Sequence, residues 1–233
     1  MPRNCAAVLI TGASAGLGCH LAIAFAGHGH GLLIQGRNAS RLQALKHQLR
    51  QEYQIPCSSL VADLATPQGI AEVESCLDQP DVGILVNNAA VNPELSSSQS
   101  VTGYSPLDEI MRVNATAAIA LAHAAHIRFQ ARGGGMIVNI SSVAGLRGSA
   151  HEPLYAASKF ALRGFSESVK EDWLKRGTRI FDVYCGALAA GMSAHRADVQ
   201  DLIDPQELSE YIVGLCSTRS FFAKEVNIRR TRV

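Results

Sequence analysis

The sequence has few aromatic residues, few charged residues and no long apolar run. Of its 233 residues, 6% are aromatic and 18% are charged, and the formal net charge is +1. Such a balance provides no basic surface for nucleic acid and none for an anionic membrane. The longest alanine-rich run, residues 115–125, contains His123 and is shorter than the about 20 apolar residues that span a bilayer. We interpret this run as a buried helix whose small side chains allow close packing.

Cysteines at metal-ligand or redox spacing are also missing. The six cysteines, at positions 5, 19, 57, 76, 185 and 216, are scattered, without a CxxC or Cys/His ligand pattern. His123 and His126 share a predicted helix face, yet no third ligand accompanies them. With no apparent signal peptide, we expect reduced thiols in a cytoplasmic protein and no metal site.

Short apolar runs alternate with helical patterns along the chain. This alternation predicts an α/β fold: one domain over residues 1–233, with a Rossmann-like, doubly wound parallel sheet of about seven strands and helices on both faces. The Ser/Pro-rich stretch 92–106 is predicted to be a loop and not a domain boundary. The predicted strands are 6–10, 31–35, 57–62, 82–86, 136–140, 179–184 and 225–230; the predicted helices begin near Gly16 and cover 40–53, 67–77, 107–130, 155–175 and 205–216.

A glycine-rich turn, TGASAGLG at residues 11–18, follows the first predicted strand. Gly12 can adopt unusual backbone dihedrals, while Gly16 and Gly18 let the backbone approach a ligand and let the next helix pack closely. The N-terminus of that helix presents free N–H groups and suits a diphosphate. The turn therefore predicts a dinucleotide site, with a purely structural turn as the alternative.

The end of the second strand, QGRN, bears on which dinucleotide is bound. Gly36 stands where an acidic residue would hold the ribose 2′-hydroxyl of NAD, and Arg37 follows it. A guanidinium pairs with a 2′-phosphate through charged hydrogen bonds. We therefore predict a preference for NADP(H), with NAD(H) possible; Ala15 adds no second positive charge, and a merely solvated Arg37 is the alternative.

Tyr155 and Lys159 are four residues apart in YAASK, which places them on one face of the predicted helix. A nearby ammonium favours the phenolate, so we expect Lys159 to lower the pKa of Tyr155 from its ordinary value of about 10. A tyrosine packed on its own helix is the alternative interpretation of this motif.

Taken in order, TGASAGLG, NNAA (87–90), Asn114, the serine pair 141–142 and YAASK resemble the short-chain dehydrogenase/reductase family over roughly residues 6 to 217. The resemblance implies that Asn87 also lines the cofactor ribose, and that Asp63 accepts a hydrogen bond from adenine, a role compatible with capping a helix. It implies the catalytic residues Asn114, Ser142, Tyr155 and Lys159, and the cofactor-binding residues Gly12, Ser14, Ala15, Gly16, Leu17, Gly18, Arg37, Asp63, Leu64, Asn88, Ala89, Tyr155, Lys159, Gly186 and Leu188.

The function implied by the resemblance is NADPH-dependent reduction of a ketone or other carbonyl to a secondary alcohol, by hydride transfer with a Ser-Tyr-Lys proton relay. One alternative is an oxidative dehydrogenase of a sugar, cyclitol or other alcohol. Another is a dinucleotide-binding regulator or scaffold with low activity. The expected partners are a small carbonyl or alcohol substrate and, through helices 107–130 and 155–175, further copies in a homodimer or homotetramer.

Three departures from the family pattern bear on the site. Ala90 ends NNAA where the family has glycine, and Cys185 and Ala190 replace the usual proline and threonine after the sixth strand. Ser193 is a candidate substitute for the threonine hydroxyl, and Cys185 is expected to be a buried small residue. The substrate loop around 186–205 is short, which predicts an open pocket that tolerates bulky or flat substrates.

Two further stretches allow weaker interpretations. His151 and Glu152 precede Tyr155 and are candidates for substrate contact at the pocket mouth, with solvated loop residues as the alternative. Arg229, Arg230 and Arg232 form a short basic cluster that we interpret as a solvated tail.

Overall fold

The computed structural model describes residues 6–95, 104–193, 198–218 and 220–231. Seven strands form one sheet in the order β3-β2-β1-β4-β5-β6-β7, and every neighbouring pair is parallel. The strands are β1 (Ala7–Ile10), β2 (Leu32–Gly36), β3 (Cys57–Val61), β4 (Val82–Asn87), β5 (Gly135–Ser142), β6 (Thr178–Cys185) and β7 (Glu225–Ile228). The doubly wound sheet predicted from the apolar runs is therefore confirmed.

Helices cover both faces of the sheet. Side chains of successive strand residues point to opposite faces, so β1 sends Val8 and Ile10 into one apolar core and Leu9 into the other. The first core packs against α1, α2 and α7, and the second against α3, α5 and α6. The helices are α1 (Gly16–Gly27), α2 (Ala39–Tyr53), α3 (Pro67–Cys76), α4 (Tyr104–Met111), α5 (Ala118–Ala131), α6 (Pro153–Lys175) and α7 (Pro205–Cys216).

The segment predicted as one helix over 107–130 is divided. The helix begins at Tyr104 as α4, passes through a π-helical turn at Arg112–Ala117, and continues as α5. The predicted loop 92–106 is thus too long at its C-terminal end, and its residues 96–103 lie outside the described part of the chain. The π-helical turn buries Asn114 against the sheet and re-aims the helix at this point.

A buried polar network ties α6 to the middle of the sheet. Asn139 of β5 donates to Ser166 at 3.0 Å and to Asp182 of β6 at 2.9 Å, and Lys170 lies 2.6 Å from the second carboxylate oxygen. Asn87 donates to Asn139 at 3.0 Å and to the Ala118 carbonyl. Asn87 therefore faces the next strand, and the expectation that it lines the cofactor ribose is wrong.

The C-terminal segment contacts the substrate loop. Arg230 donates to Asp198 at 3.0 Å, so this arginine is not the solvated tail residue expected from sequence. Ala189 and Ile203 pair through a 2.9 Å backbone hydrogen bond that joins the two limbs of the loop. Residues 194–197 of that loop, Cys5 and Arg232 lie outside the described residues. Within the described ranges, no helix combines the length and apolar character needed to cross a bilayer.

Candidate active site

A cleft of about 870 Å³ lies beyond the carboxyl ends of β1, β2, β4, β5 and β6. This is where an open parallel sheet binds ligands, next to the reversal of strand order between β1 and β4. The lining includes most of the residues proposed from sequence: Gly12, Ser14, Ala15, Gly16, Leu17, Arg37, Asp63, Leu64, Asn88, Ala89, Ser142, Tyr155, Lys159, Gly186 and Leu188. Gly18 and Asn114 lie behind the lining.

The glycine turn is shaped by close backbone contacts. Gly12 has φ +68°, and a Cβ on it would lie 2.8 Å from the Cα of Ala89. A Cβ on Gly18 would lie 2.4 Å from the Gly12 carbonyl oxygen, so Gly18 lets α1 pack on the turn. The first turn of α1 has neither a side-chain cap nor an acidic residue. Its N–H groups and positive dipole end therefore remain available for a diphosphate.

Polar side chains tie the turn to the neighbouring strands. The Thr11 hydroxyl accepts hydrogen bonds from the N–H groups of Asn88 and Ala89, and the Asn88 amide donates back to the Thr11 and Gly12 carbonyls. Buried Gln35 accepts from the Gly12 N–H at 3.1 Å. These bonds hold the end of β4 against the turn that follows β1. The ends of β1 and β4 therefore form one wall of the cleft together.

The end of β2 carries two guanidinium groups, of which the sequence argument found one. Arg37 and Arg41 are both exposed and line the cleft, and no ion pair involving either is recorded among the described residues. Asn38 caps α2 by accepting from the Arg41 N–H at 2.9 Å, which places Arg41 in the first helical turn. Arg41 was missed because it has no motif of its own; its place in the first turn of the helix that follows Arg37 was the available signal.

The residues present fit NADP better than NAD at this end. A Cβ on Gly36 would lie 2.8 Å from the Ser14 hydroxyl, so Ser14 fills the space an acidic side chain would need. Asp63, after β3, accepts from the Ala65 N–H at 3.0 Å and also lines the cleft. This end of the cleft is therefore positively charged where a 2′-phosphate would lie, and it lacks the acidic side chain that would repel the phosphate.

Ser142, Tyr155 and Lys159 meet on the wall of the cleft formed by β5 and α6. The Lys159 ammonium lies 5.5 Å from the centroid of the Tyr155 ring and donates to the Ile140 carbonyl at 3.2 Å. Tyr155 and Lys159 are only 8% and 2% exposed. The Ser142 hydroxyl accepts from the Ala144 N–H at 3.1 Å, and the Ser142 side chain is close enough to the Tyr155 phenol to lower its pKa. Two hydroxyls and an ammonium therefore converge here.

Burial changes the proton affinity of this trio. It raises the pKa of Tyr155 well above its usual range, and the hydrogen bond from Ser142 lowers it only in part. Burial also lowers the pKa of Lys159 to about 8. The net shift is opposite to the lowered pKa that the sequence predicts for Tyr155, because the loss of solvent around the phenolate dominates.

Asn114 lies outside the cleft lining and connects two segments of the cleft wall, the chain after β4 and helix α6. Its amide accepts from the Val91 N–H at 2.8 Å and donates to the Val91 carbonyl at 2.9 Å, and it also donates to Ser158 at 3.1 Å. The helix departs from α-helical geometry around this asparagine, in the π-helical turn. Asn114 thus links the β4 exit to α6, next to Lys159 along the chain.

Two acidic residues near Tyr155 complete the site. Glu94 accepts from the N–H groups of Tyr155 at 2.9 Å and Leu154 at 3.3 Å, and so caps the start of α6. Glu152 lines the cleft and accepts from the Asn92 amide at 2.7 Å. Sequence reasoning missed Glu94 and Asn92, because each acts across about sixty residues of chain.

The departures from the family pattern all fall on the cleft. Cys185, Ala190 and Ala90 line it, as does Ser193, which is 8% exposed. Cys185 donates to the Ser141 carbonyl at 3.4 Å, and burial raises the pKa of its thiol to about 11, which fits a small buried residue.

The histidines singled out from sequence lie away from the cleft. His151 is exposed and does not line it, unlike its neighbour Glu152. His126 is buried, stacked on Trp173 with ring centroids 4.1 Å apart. No group of three or more metal-ligating side chains occurs in the part of the chain that is described.

Comparison with known proteins gives the same result as the geometry. The family model described as short chain dehydrogenase matches residues 6–201. An uncharacterized oxidoreductase of Mycobacterium tuberculosis is 30% identical over 203 residues, which is 84% of this chain and 79% of that protein. Its name places this relative among the oxidoreductases.

Two solved structures share the fold closely. A short-chain dehydrogenase from Sphingobium yanoikuyae, in complex with NADPH, is 30% identical with a TM-score of 0.84, covering 98% of this chain and 89% of that one. The bulky-bulky ketone specific alcohol dehydrogenase from Comamonas testosteroni is also 30% identical, with a TM-score of 0.84 and coverages of 97% and 86%. The match of the family model over most of the chain, on a cleft that assembles the family's serine, tyrosine and lysine, shows that this oxidoreductase belongs to the short-chain dehydrogenase family.

Proposed function

We propose that this enzyme reduces a ketone or another carbonyl compound to a secondary alcohol with NADPH. The observation that carries the proposal is one cleft with Ser142, Tyr155 and Lys159 at its β5 end and Arg37 and Arg41 at its β2 end. The NADPH-bound Sphingobium structure and the ketone-specific Comamonas enzyme support both parts of the proposal.

The residues of the cleft divide the work of cofactor binding. Arg37 and Arg41 would hold the 2′-phosphate, and the glycine turn with the start of α1 would hold the diphosphate. Asp63 would accept from the adenine amino group, and Lys159 would hold the nicotinamide ribose. The other proposed cofactor contacts are Ser14, Ala15, Leu17, Leu64, Asn88, Ala89, Tyr155, Gly186 and Leu188. When bound, NADPH supplies the hydride that reduces the carbonyl carbon.

The protein handles the oxygen of the carbonyl group. Ser142 donates a hydrogen bond to this oxygen as negative charge develops on it, and Tyr155 gives it a proton to complete the alcohol. Lys159 as an ammonium then stabilises the phenolate left on Tyr155. Asn114 positions this wall through its bonds to Val91 and Ser158.

Oxidation of a sugar, cyclitol or other alcohol would use the same residues in reverse, with Tyr155 accepting the proton. The raised pKa of Tyr155 keeps the phenol protonated at neutral pH, which is the form that reduction needs, whereas oxidation needs the phenolate. The direction of the reaction is therefore part of the proposal and is tested directly.

The test is a panel of ketones with NADPH and NADH in parallel, and of alcohols with NADP⁺ and NAD⁺, followed by cofactor absorbance. We expect turnover of ketones with NADPH, including bulky polycyclic ketones, because the substrate loop around 186–205 is short. Turnover of alcohols alone would replace reduction by oxidation as the function. Cofactor binding without turnover of any compound would favour a dinucleotide-binding regulator or scaffold.

We also infer that the chain assembles through α5 and α6. Ile127 on α5 is 54% exposed and Phe160 on α6 is 42% exposed, so each helix presents a large apolar side chain that a second copy would cover. Sedimentation of the purified chain should give a dimer or tetramer, and Ile127→Glu with Phe160→Glu should give a smaller species. A wild-type monomer would contradict this assembly.

A further inference from the structure

The substrate end of the cleft contains a pair of side chains that proton transfer does not use. Glu152 and Asn92 both line the cleft, and the Asn92 amide donates to one Glu152 carboxylate oxygen at 2.7 Å. The negative charge of Glu152 also raises the pKa of Tyr155, which places the carboxylate near the reacting hydroxyl. The pair therefore stands beside the position proposed for the substrate carbonyl.

This pair offers a negatively charged acceptor to the cleft. Asn92 is 6% exposed, one of its two amide N–H groups donates to Glu152, and its Oδ1 has no partner among the described residues. Only one oxygen of Glu152 has a recorded hydrogen bond. A carboxylate oxygen that lines the cleft without a protein donor can accept a hydrogen bond from a ligand, so a ligand that brings an O–H group is favoured at this position.

The distribution of charge separates this end from the cofactor end. Arg37 and Arg41 follow β2, whereas Ser142 follows β5, and β1 and β4 lie between them in the sheet. Three strand spacings of about 4.8 Å put the arginines roughly 14 Å away. At the substrate end Lys159 is the one cation among the described lining residues, and it is directed to the Ile140 carbonyl. An anionic substituent would therefore face Glu152 without a dedicated partner.

We propose that Asn92 and Glu152 form a hydroxyl-binding subsite, which selects uncharged carbonyl compounds bearing a hydroxyl group next to the carbonyl and rejects those bearing a carboxylate there. This substrate class rests on the proposed reduction, because it assumes that the carbonyl oxygen lies at Ser142 and Tyr155. Asn92 fixes the carboxylate of Glu152, and the free oxygen of that carboxylate accepts the substrate hydroxyl.

The experiment uses three ketones that differ at one carbon: acetophenone, 2-hydroxyacetophenone and phenylglyoxylate. Affinity is measured by calorimetry on the NADPH-loaded Tyr155→Phe chain, with and without Glu152→Gln, and kcat/KM is measured on the same panel with Tyr155 present. Glu152→Gln is nearly isosteric, removes the negative charge and replaces one acceptor oxygen with an NH2 donor. Glu109→Gln, on an exposed position of α4, is the matched control.

With Glu152, the hydroxy ketone should bind about tenfold more tightly than acetophenone, and phenylglyoxylate about tenfold more weakly. Glu152→Gln should reduce both ratios to about threefold or less, and Glu109→Gln should leave them unchanged. Equal ratios with and without Glu152→Gln, or no binding of any of the three compounds, would overturn the subsite. If the ranking holds while the Tyr155 chain turns over none of them, the reductase function fails and the subsite stands.

Discussion

At the β2 end of the cleft, Arg37 and Arg41 are exposed to solvent, whereas at the β5 end Tyr155 and Lys159 are almost completely buried. Both ends use charged or ionisable groups next to one continuous cleft. Burial raises the pKa of Tyr155 and lowers that of Lys159 to about 8. The exposed end therefore suits recognition of a charged group. The buried end suits proton transfer, because burial there changes the pKa values of Tyr155 and Lys159.

The largest effect should come from removing the proton donor at the buried end. Tyr155→Phe should lower kcat/KM for ketone reduction by about a thousandfold, because no other described hydroxyl replaces the phenol as acid. NADPH affinity, measured by fluorescence titration, should change by less than about threefold. Tyr211→Phe, at an exposed position on α7, is the control and should leave both quantities unchanged. Substantial activity in Tyr155→Phe would show that the buried end of the cleft does not supply the proton through Tyr155.

Removal of both guanidiniums should affect the exposed end alone. Arg37→Ala with Arg41→Ala should raise the KM for NADPH by about a hundredfold and leave the KM for NADH nearly unchanged, because only NADPH carries the 2′-phosphate. The kcat at saturating NADPH should stay within about threefold. Arg176→Ala, which breaks an exposed ion pair with Asp172 on α6, serves as the control. An equal loss with both cofactors would show that these arginines do not recognise the phosphate.

The pH dependence of reduction should report the buried lysine. Lys159 loses its proton as pH rises through about 8, and the neutral amine no longer stabilises the phenolate of Tyr155. We expect kcat/KM to fall by about tenfold between pH 6 and pH 9, since a single group with that pKa controls the alkaline decline of activity. Lys159→Arg should move this decline to higher pH, because arginine keeps its charge. If the decline stays at the same pH in Lys159→Arg, another group causes it.

A smaller effect is expected at the contact between Glu94 and the start of α6. Glu94→Ala removes the acceptor of the Tyr155 and Leu154 N–H groups and should cost about 1 kcal/mol of unfolding free energy. The kcat should fall by about threefold to tenfold with little change in the KM for NADPH, because α6 carries the catalytic tyrosine and not the phosphate contacts. Denaturant unfolding and steady-state kinetics measure the two quantities.

Glu94→Gln separates capping from charge. The amide oxygen still accepts from one N–H group, so this variant should recover most of kcat if Glu94 positions the helix. Glu109→Ala should be neutral in both measurements. A Glu94→Ala enzyme with unchanged kcat would leave Glu94 a role in stability alone.

The two ends also differed in how much the sequence revealed. Spacing placed Tyr155 and Lys159 on one helix face, and the apolar runs located all seven strands, since both signals are local in the chain. The family pattern located Ser142 and Asn114. Arg37 stood directly after a strand, where a cofactor contact is expected.

What the sequence left out depended on contacts between distant segments. Glu94 and Asn92 reach α6 from the exit of β4, and no spacing rule links positions about sixty residues apart. Asn87 was assigned to the ribose by its motif, yet its amide turns to Asn139 and the Ala118 carbonyl. The pKa of Tyr155 was misjudged because burial, which sets it, is a property of the folded chain.

The close approach of Gly36 and Ser14 constrains how this enzyme can be redesigned. Changing Gly36 to aspartate, the obvious route to an NAD-dependent enzyme, would place a new Cβ 2.8 Å from the Ser14 hydroxyl oxygen. The Ser14 side chain would have to turn away, and Ser14→Gly would make room for the acid. Cofactor preference here therefore depends on this steric contact as well as on charge.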